Sequence, residues 1–112
     1  MKLIYLIKAV FDGQQYYKIG ITSRTAEKRL KELQTGNALK LEIVDTFNTK
    51  FGNLFEKTLH RTFTNENSIG EWFLLTNEQV IDFLTICNRV ESNLECISQD
   101  STYWEQKKGK II

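Results

Sequence analysis

Three side chains in the first half of the sequence have the chemistry that phosphodiester hydrolysis requires. That reaction needs a base or a water-orienting group, a positive group to stabilise the charge on the phosphorane, and commonly a divalent metal ion. Tyr5, Arg29 and Glu56 could supply them in that order. A planar guanidinium suits phosphate oxygens, and a carboxylate is a hard ligand that suits Mg²⁺. These three residues are therefore candidates for a site that hydrolyses phosphodiester bonds.

Lys18, Gly20 and His60 stand close to these residues in the predicted elements. His60 follows Glu56 at i,i+4 spacing, where it could pair with the carboxylate or flank the core. Lys18 shares one side of a strand with Gly20 and could bind phosphate or orient water. Gly20 removes a side chain where a substrate backbone or a helix could approach. Each residue alone is commonly structural, so the prediction depends on their joint order.

The elements that must position these groups follow from the spacing of apolar residues. Alternation predicts strands, and Asp12-Gly13 is a typical hairpin turn. Helical spacing, with Thr76 and Gln79 as a capping box, predicts helices. The predicted strands are 3–11, 15–22 and 41–47, the helices are 25–35, 49–63 and 76–94, and 71–75 is a short extended segment. The predicted fold class is α+β, a small three-stranded antiparallel sheet flanked by helices, with the first two helices packed on it.

Length and composition set the remaining bounds. A chain of 112 residues makes one small domain, which we place at residues 1–95, with a C-terminal tail at 96–112. No apolar stretch approaches the ~20 residues of a membrane span. The spacing of Cys87 and Cys96 fits neither a metal site nor a redox pair. We therefore expect two reduced thiols and a cytoplasmic protein.

The charge is unevenly distributed along the sequence. The formal net charge is +1, but residues 1–31 carry seven Lys or Arg and two acidic residues, a net +5. Residues 66–105 carry eight acidic residues and one arginine, a net −7. Such asymmetry can orient a polyanion, although an ordinary solvated surface is the alternative.

Four segments carry a resemblance to a known family. They are Leu3-Ile4-Tyr5, Lys18-Ile19-Gly20, Glu27-Lys28-Arg29-Leu30 and Leu54-Phe55-Glu56-Lys57. Their order on strand, strand, helix and helix resembles the GIY-YIG nuclease superfamily. Together with the later motif Gly70-Glu71-Trp72-Phe73, these segments resemble its short phage and bacterial branch, the phage T5-type domain named in part for a meiotically up-regulated gene. The resemblance covers residues 3–75.

The resemblance implies a role for each matching residue. Tyr5 would act as general base or position the water, Arg29 would stabilise the scissile phosphate, and Glu56 would hold a single Mg²⁺ or Mn²⁺. Lys18 and His60 are further catalytic candidates, because they could replace groups that the family has and this chain lacks. The predicted substrate contacts are Tyr17, Gly20, Thr22, Arg24 and Lys28.

The sequence departs from the family pattern at three positions. Leu3 replaces the first glycine, which matters little on a strand. Lys18 replaces the second tyrosine and removes one phenol from the site. Leu33 stands where many members carry tyrosine or histidine, four residues after the arginine.

The implied activity is that of a metal-dependent endonuclease acting on DNA. We expect the protein to be a monomer or weak dimer and to have no membrane partner. One alternative is a catalytically weakened nucleic-acid-binding module, such as a regulatory or anti-defence factor of a phage or mobile element. Another is a protein-interaction domain that uses its basic face against an acidic partner.

Overall fold

A two-stranded hairpin lies at the centre of the fold. The structure is a computed structural model, which describes residues 1–63 and 68–99. Strands β1 (Lys2–Phe11) and β2 (Gln14–Thr22) are joined by Asp12 and Gly13. Both turn residues have positive φ, 52° and 78°, the left-handed conformation that a two-residue hairpin requires. The predicted hairpin is therefore confirmed.

Three more strands extend this hairpin into a five-stranded sheet. Strand β3 (Leu41–Thr49) pairs with β1, while β4 (Ser68–Ile69) and β5 (Trp72–Phe73) extend the sheet beyond β2. The order is β3-β1-β2-β5-β4, and the paired strands are antiparallel. The α+β class is confirmed, but the sheet has two strands more than predicted. Strands of two residues are too short to show a period in the sequence.

The helices cover the two faces of the sheet. Helix α1 (Ala26–Thr35) packs on one face, named the α1 face, through Leu30 and Leu33. Helices α2 (Asn53–Thr62) and α4 (Phe83–Gln99) pack on the opposite face. The packing of the first two helices on the sheet is thus confirmed. Helix α2 begins later than the predicted residue 49, because β3 extends to Thr49.

Alternation along β1 and β2 divides their side chains between the faces. Tyr5, Ile7 and Ala9 belong to the cluster on the α1 face. Ile4 and Leu6 belong to the larger cluster on the opposite face. Each strand therefore contributes alternate side chains to the larger cluster and to the cluster on the α1 face.

The predicted third helix is divided at Asp82. Helix α3 (Asn77–Ile81) starts with the predicted capping box, in which Thr76 and Gln79 exchange side-chain and backbone hydrogen bonds. Helix α4 then continues to Gln99, beyond the predicted boundary at residue 95. Residues 100–112 of the predicted tail lie outside the described residues. No helix of the described chain is long and apolar enough to cross a membrane.

Helix α4 is attached to the end of β3 by a buried hydroxyl. Thr49 is fully buried, donates to Glu91 at 2.6 Å and accepts from the Phe51 amide at 3.1 Å. On the same helix, Cys87 and Cys96 are free thiols. Burial raises the pKa of Cys87 to about 12, so this thiol stays protonated at neutral pH.

Candidate functional site

The phenol of Tyr5 lies directly across Gly20 on the α1 face. The two residues are opposite each other in the β1–β2 register. A Cβ atom added to Gly20 would be 2.1 Å from the Tyr5 hydroxyl oxygen and 2.2 Å from the ring carbon that bears it. Tyr5 is 2% exposed, so its ring has little room to move. Glycine is therefore required at residue 20 to admit the tyrosine, and the tyrosine occupies the space that we predicted for substrate or helix.

Arg29 reaches this phenol from α1. Its Nε donates to the Tyr5 hydroxyl at 3.5 Å, and its Nη1 donates to Glu32 at 3.0 Å. The hydrogen bonds to Tyr5 and Glu32 raise the pKa of Arg29 above its ordinary value, so the guanidinium stays charged. Within residues 1–63 and 68–99, its Nη2 group makes no hydrogen bond. Arg29 thus lies at the border of the buried helix face, as predicted, with donors left for an anion.

Lys18 lies on the same face, between Gly20 and the short strand β5. Its ammonium is 2.7 Å from a carboxylate oxygen of Glu71 and 6.0 Å from the centroid of the Trp72 ring. The Lys18 side chain is 19% exposed, whereas that of Glu71 is 75% exposed. The predicted association of Lys18 with Gly20 on one side of the strand is confirmed by this placement.

Glu71 lies close to Lys18, and the charges of His60 and Arg29 also act on it. The hydrogen bond and charge of Lys18 lower the pKa of Glu71, and the charges of His60 and Arg29 lower it further. Our sequence analysis did not identify Glu71 as a site residue. The signal was its place in the Gly70-Glu71-Trp72-Phe73 motif, but only the pairing of β5 with β2 brings that motif to Lys18.

His60 links α2 to β2 by a side-chain hydrogen bond. Its Nε2 is 2.9 Å from the carbonyl oxygen of Ile19, and because a carbonyl can only accept, Nε2 is the donor. The ring also makes an edge contact with Phe73, at 5.5 Å between centroids.

Glu56 lies on α2, one turn before His60, and is partly buried. Its carboxylate makes no hydrogen bond or ion pair with any described residue. Phe55 and Leu59 pack α2 on the face opposite α1, whereas Glu56 and His60 belong to neither apolar cluster. That Glu56 and His60 share one site with Tyr5 and Arg29 therefore stays a prediction. His60 contacts the Ile19 carbonyl of β2, and the charges of His60 and Arg29 both lower the pKa of Glu71. Helical periodicity shows which side of a helix is buried, but not which face of the sheet covers it.

The described residues contain no group of three His, Cys, Asp or Glu that could enclose a metal ion. Among the described residues, Glu56 is thus not part of a closed cage. Mg²⁺ commonly retains several waters and uses one or two carboxylates. The donor set at Glu56 fits such a water-rich ion, and does not fit a fully protein-bound one such as structural zinc.

The predicted substrate contacts divide into two groups. Thr22, Arg24 and Lys28 line one concave surface of about 400 Å³ at the start of α1, although Arg24 is ion-paired with Glu32. Tyr17 is 3% exposed in the main core, so the expectation that it contacts substrate is wrong. Adjacent strand residues point to opposite faces, and Lys18 is the residue that faces the site.

Gly20→Ala should destabilise the fold by about 1–3 kcal/mol, because the new methyl group overlaps the Tyr5 ring. Chemical denaturation of the variant would measure the change. Gly36→Ala is the matched control, since a Cβ there meets nothing within 4 Å. In the double variant Tyr5→Ala/Gly20→Ala the penalty of the alanine should largely disappear. Equal effects at Gly20 and Gly36 would contradict the packing described above.

Comparison with protein families identifies the group to which this chain is related. Residues 2–91 match a family described as the T5orf172 domain, a span that contains every site residue from Tyr5 to Glu71. This agrees with the phage T5-type branch that the motifs resemble. Comparisons with curated proteins and with solved structures give no match. The family match covers most of the sequence, and the chain therefore belongs to the T5orf172 domain family.

Proposed function

We propose that this protein is a metal-dependent endonuclease of the GIY-YIG type that hydrolyses DNA phosphodiester bonds. The observation that carries the proposal is the contact of Tyr5, Gly20 and Arg29, from β1, β2 and α1. This contact brings together, on the α1 face, a phenol and a guanidinium that has donors left for an anion. Membership of the T5orf172 family supports the same class of activity through the motifs that resemble the superfamily.

Arg29 is the residue proposed to bind the scissile phosphate. Tyr5 fixes its Nε and Glu32 fixes one Nη1 donor, so the remaining donors keep a defined direction. Preorganised donors of this kind stabilise charge that develops in the transition state without reorganising. Tyr5 is proposed to orient Arg29 and the attacking water through one hydroxyl.

Lys18 is proposed to bind a neighbouring phosphate of the same strand. In the free protein its ammonium is held by Glu71, a largely exposed carboxylate. Exposed ion pairs contribute little to stability, so a phosphate can replace Glu71 at low cost. Glu32 holds Arg24 and Arg29 in a comparable way. Substrate binding would then exchange carboxylate partners for phosphate partners.

Glu56 is the proposed ligand of Mg²⁺ or Mn²⁺. Such an ion, when bound, would supply Lewis-acid stabilisation of the phosphoryl oxygens. His60 would hold this part of α2 at the edge of β2 through the Ile19 carbonyl. Its role is then to position Glu56 relative to the hairpin.

A second candidate function is nucleic-acid binding without efficient cleavage. Leu33, which replaces a tyrosine or histidine of the family pattern, packs among the apolar residues of the α1 face. It therefore supplies no polar group to the site. Lys18 replaces a phenol with an ammonium that is committed to Glu71. Cleavage assays on duplex, branched and single-stranded DNA and RNA decide between the two functions.

Glu56→Gln should abolish Mg²⁺-dependent cleavage and leave DNA binding nearly unchanged. The substitution removes a hard-cation ligand, and it also removes a negative charge that would oppose phosphate binding. Cleavage and binding by the purified variant would be measured in parallel. Glu78→Gln, which removes an exposed carboxylate from α3, is the control and should retain activity. Full cleavage by Glu56→Gln would refute the proposed metal site.

Arg29→Ala should lower the cleavage rate by roughly a hundredfold, the usual cost of one lost contact to transition-state charge. It should also weaken DNA binding, because the guanidinium contacts the ground-state phosphate as well. Single-turnover rates and equilibrium binding would separate the two effects. Arg89→Ala on α4 is the matched control. If both variants behave like the wild type, Arg29 is not part of the site.

Glu71→Gln should increase the affinity for DNA and make its salt dependence steeper by about one unit of log K against log salt. The reason is that Lys18 loses its carboxylate partner and is released to a phosphate. Binding would be measured over a range of salt concentrations at neutral pH. Glu42→Gln also removes a lysine's carboxylate partner, that of Lys8, on the face opposite the site. An equal gain in both variants would reflect net charge alone and would contradict a phosphate contact at Lys18.

A further inference from the structure

We propose that a pocket beside Lys18, lined by Phe11, Tyr16 and Trp72, binds one unpaired nucleobase of the substrate strand. This inference rests on the proposed function, and it names the class of substrate. Nucleic acid with unpaired bases, whether single-stranded, branched or frayed, would be bound in preference to intact duplex.

Three aromatic side chains form the walls of this pocket, which has a volume of about 310 Å³. Ala9 is 2% exposed and forms a small apolar floor directly opposite Tyr16 in the strand register. Phe11 is 58% exposed, and Tyr16 and Trp72 are only partly buried. Aromatic faces that remain accessible around a concave surface are suited to stacking a planar heterocycle.

The remaining wall of the pocket is fixed by Gln34. Its Nε2 donates to the carbonyl oxygen of Leu39 at 2.8 Å and to that of Asn37 at 3.2 Å. Its Oε1 accepts from the Leu41 amide at 2.8 Å. The connection between α1 and β3 is therefore held in one conformation at the pocket. A preformed pocket avoids part of the ordering cost of binding.

Asn37 adds one polar group to an otherwise apolar lining. Its Oδ1 accepts from the Leu39 amide at 2.9 Å, which orients the side-chain amide. The Nδ2 group makes no hydrogen bond within the described parts of the chain. It is a donor available to a ring nitrogen or carbonyl oxygen at the edge of a base.

The pocket adjoins Lys18, one of the proposed phosphate-binding residues, through its Trp72 wall. The Lys18 ammonium lies 6.0 Å from the Trp72 ring centroid, so the cation and the aromatic wall adjoin each other. On the α1 face Tyr16, Lys18 and Gly20 follow at every second residue, with steps of about 6.6 Å. A strand laid along β2 would place a phosphate at Lys18 and an adjoining base in the pocket. A positive group combined with an aromatic platform is the usual means of binding single strands.

A base inside a duplex is paired and stacked on both faces, so it cannot enter a pocket of this kind without being unpaired. Stacking tolerates any base, because every base has an aromatic face. The pocket thus predicts selection for unpaired structure and little selection for sequence.

Binding in EDTA tests the inference without cleavage. The probes are a labelled short oligothymidylate, an abasic strand with the same number of phosphates, and a blunt duplex of the same length. Fluorescence anisotropy should show about tenfold tighter binding of the oligothymidylate than of the other two. Phe11→Ala should remove about tenfold from the oligothymidylate affinity and leave the abasic strand unchanged. Ile81→Ala, which removes a 79% exposed side chain from α3, is the control.

Trp72 itself provides a second readout. The chain has two tryptophans, so Trp104→Phe leaves Trp72 as the single tryptophan reporter. Its emission should be quenched by the oligothymidylate and not by the abasic strand. Equal affinities for both strands, with no difference in quenching, would overturn the inference and leave the endonuclease proposal intact. Failure of both strands to bind while the duplex binds would overturn the inference alone, and failure of all three probes to bind would overturn the two proposals together.

Discussion

The crossing of Tyr5 over Gly20 is the constraint on which the candidate site depends. Because strand side chains alternate, β1 must send Tyr5 to the same face as residue 20 of its partner strand. A phenol can lie flat there only if that partner has no side chain. The hydroxyl is then held at a fixed place on the sheet, and Arg29 meets it from α1. The contact between α1 and the hairpin at Tyr5 and Arg29 thus depends on the absence of a Cβ atom at residue 20.

Local signals in the sequence predicted the parts of the fold that local interactions determine. The turn at Asp12-Gly13, the capping box at Thr76 and the extent of α1 all follow from neighbouring residues. The grouping of Tyr5, Lys18 and Arg29 was predicted from alternation and from the order of elements. The side of the sheet on which α2 lies could not be predicted, because it depends on the path of the chain between elements. Glu71 lies in the turn before β5, and a strand of only two residues leaves no pattern to detect.

Part of the uneven charge of the sequence is paired within the fold. Lys18 comes from the basic first part of the chain and Glu71 from the acidic second part, yet they form an ion pair. Glu32 of α1 pairs with both Arg24 and Arg29, so one carboxylate is shared by two guanidinium groups. The site of the free protein is therefore a set of paired charges. Its affinity for a polyanion depends more on how easily phosphates replace Glu71 and Glu32 as partners of the cationic side chains than on net charge.

The sequence separation of the contacts gives an order in which the site can form. Tyr5 and Gly20 meet through a hairpin closed by two residues, and short loops of this kind close in microseconds. Lys18 and Glu71 are 53 residues apart, and their meeting requires a much longer segment of chain to be enclosed. We therefore expect the cationic half of the site to exist in the folding chain before its neutralising carboxylate arrives. A chain emerging during synthesis would pass through a stage at which Lys18 has no Glu71 beside it.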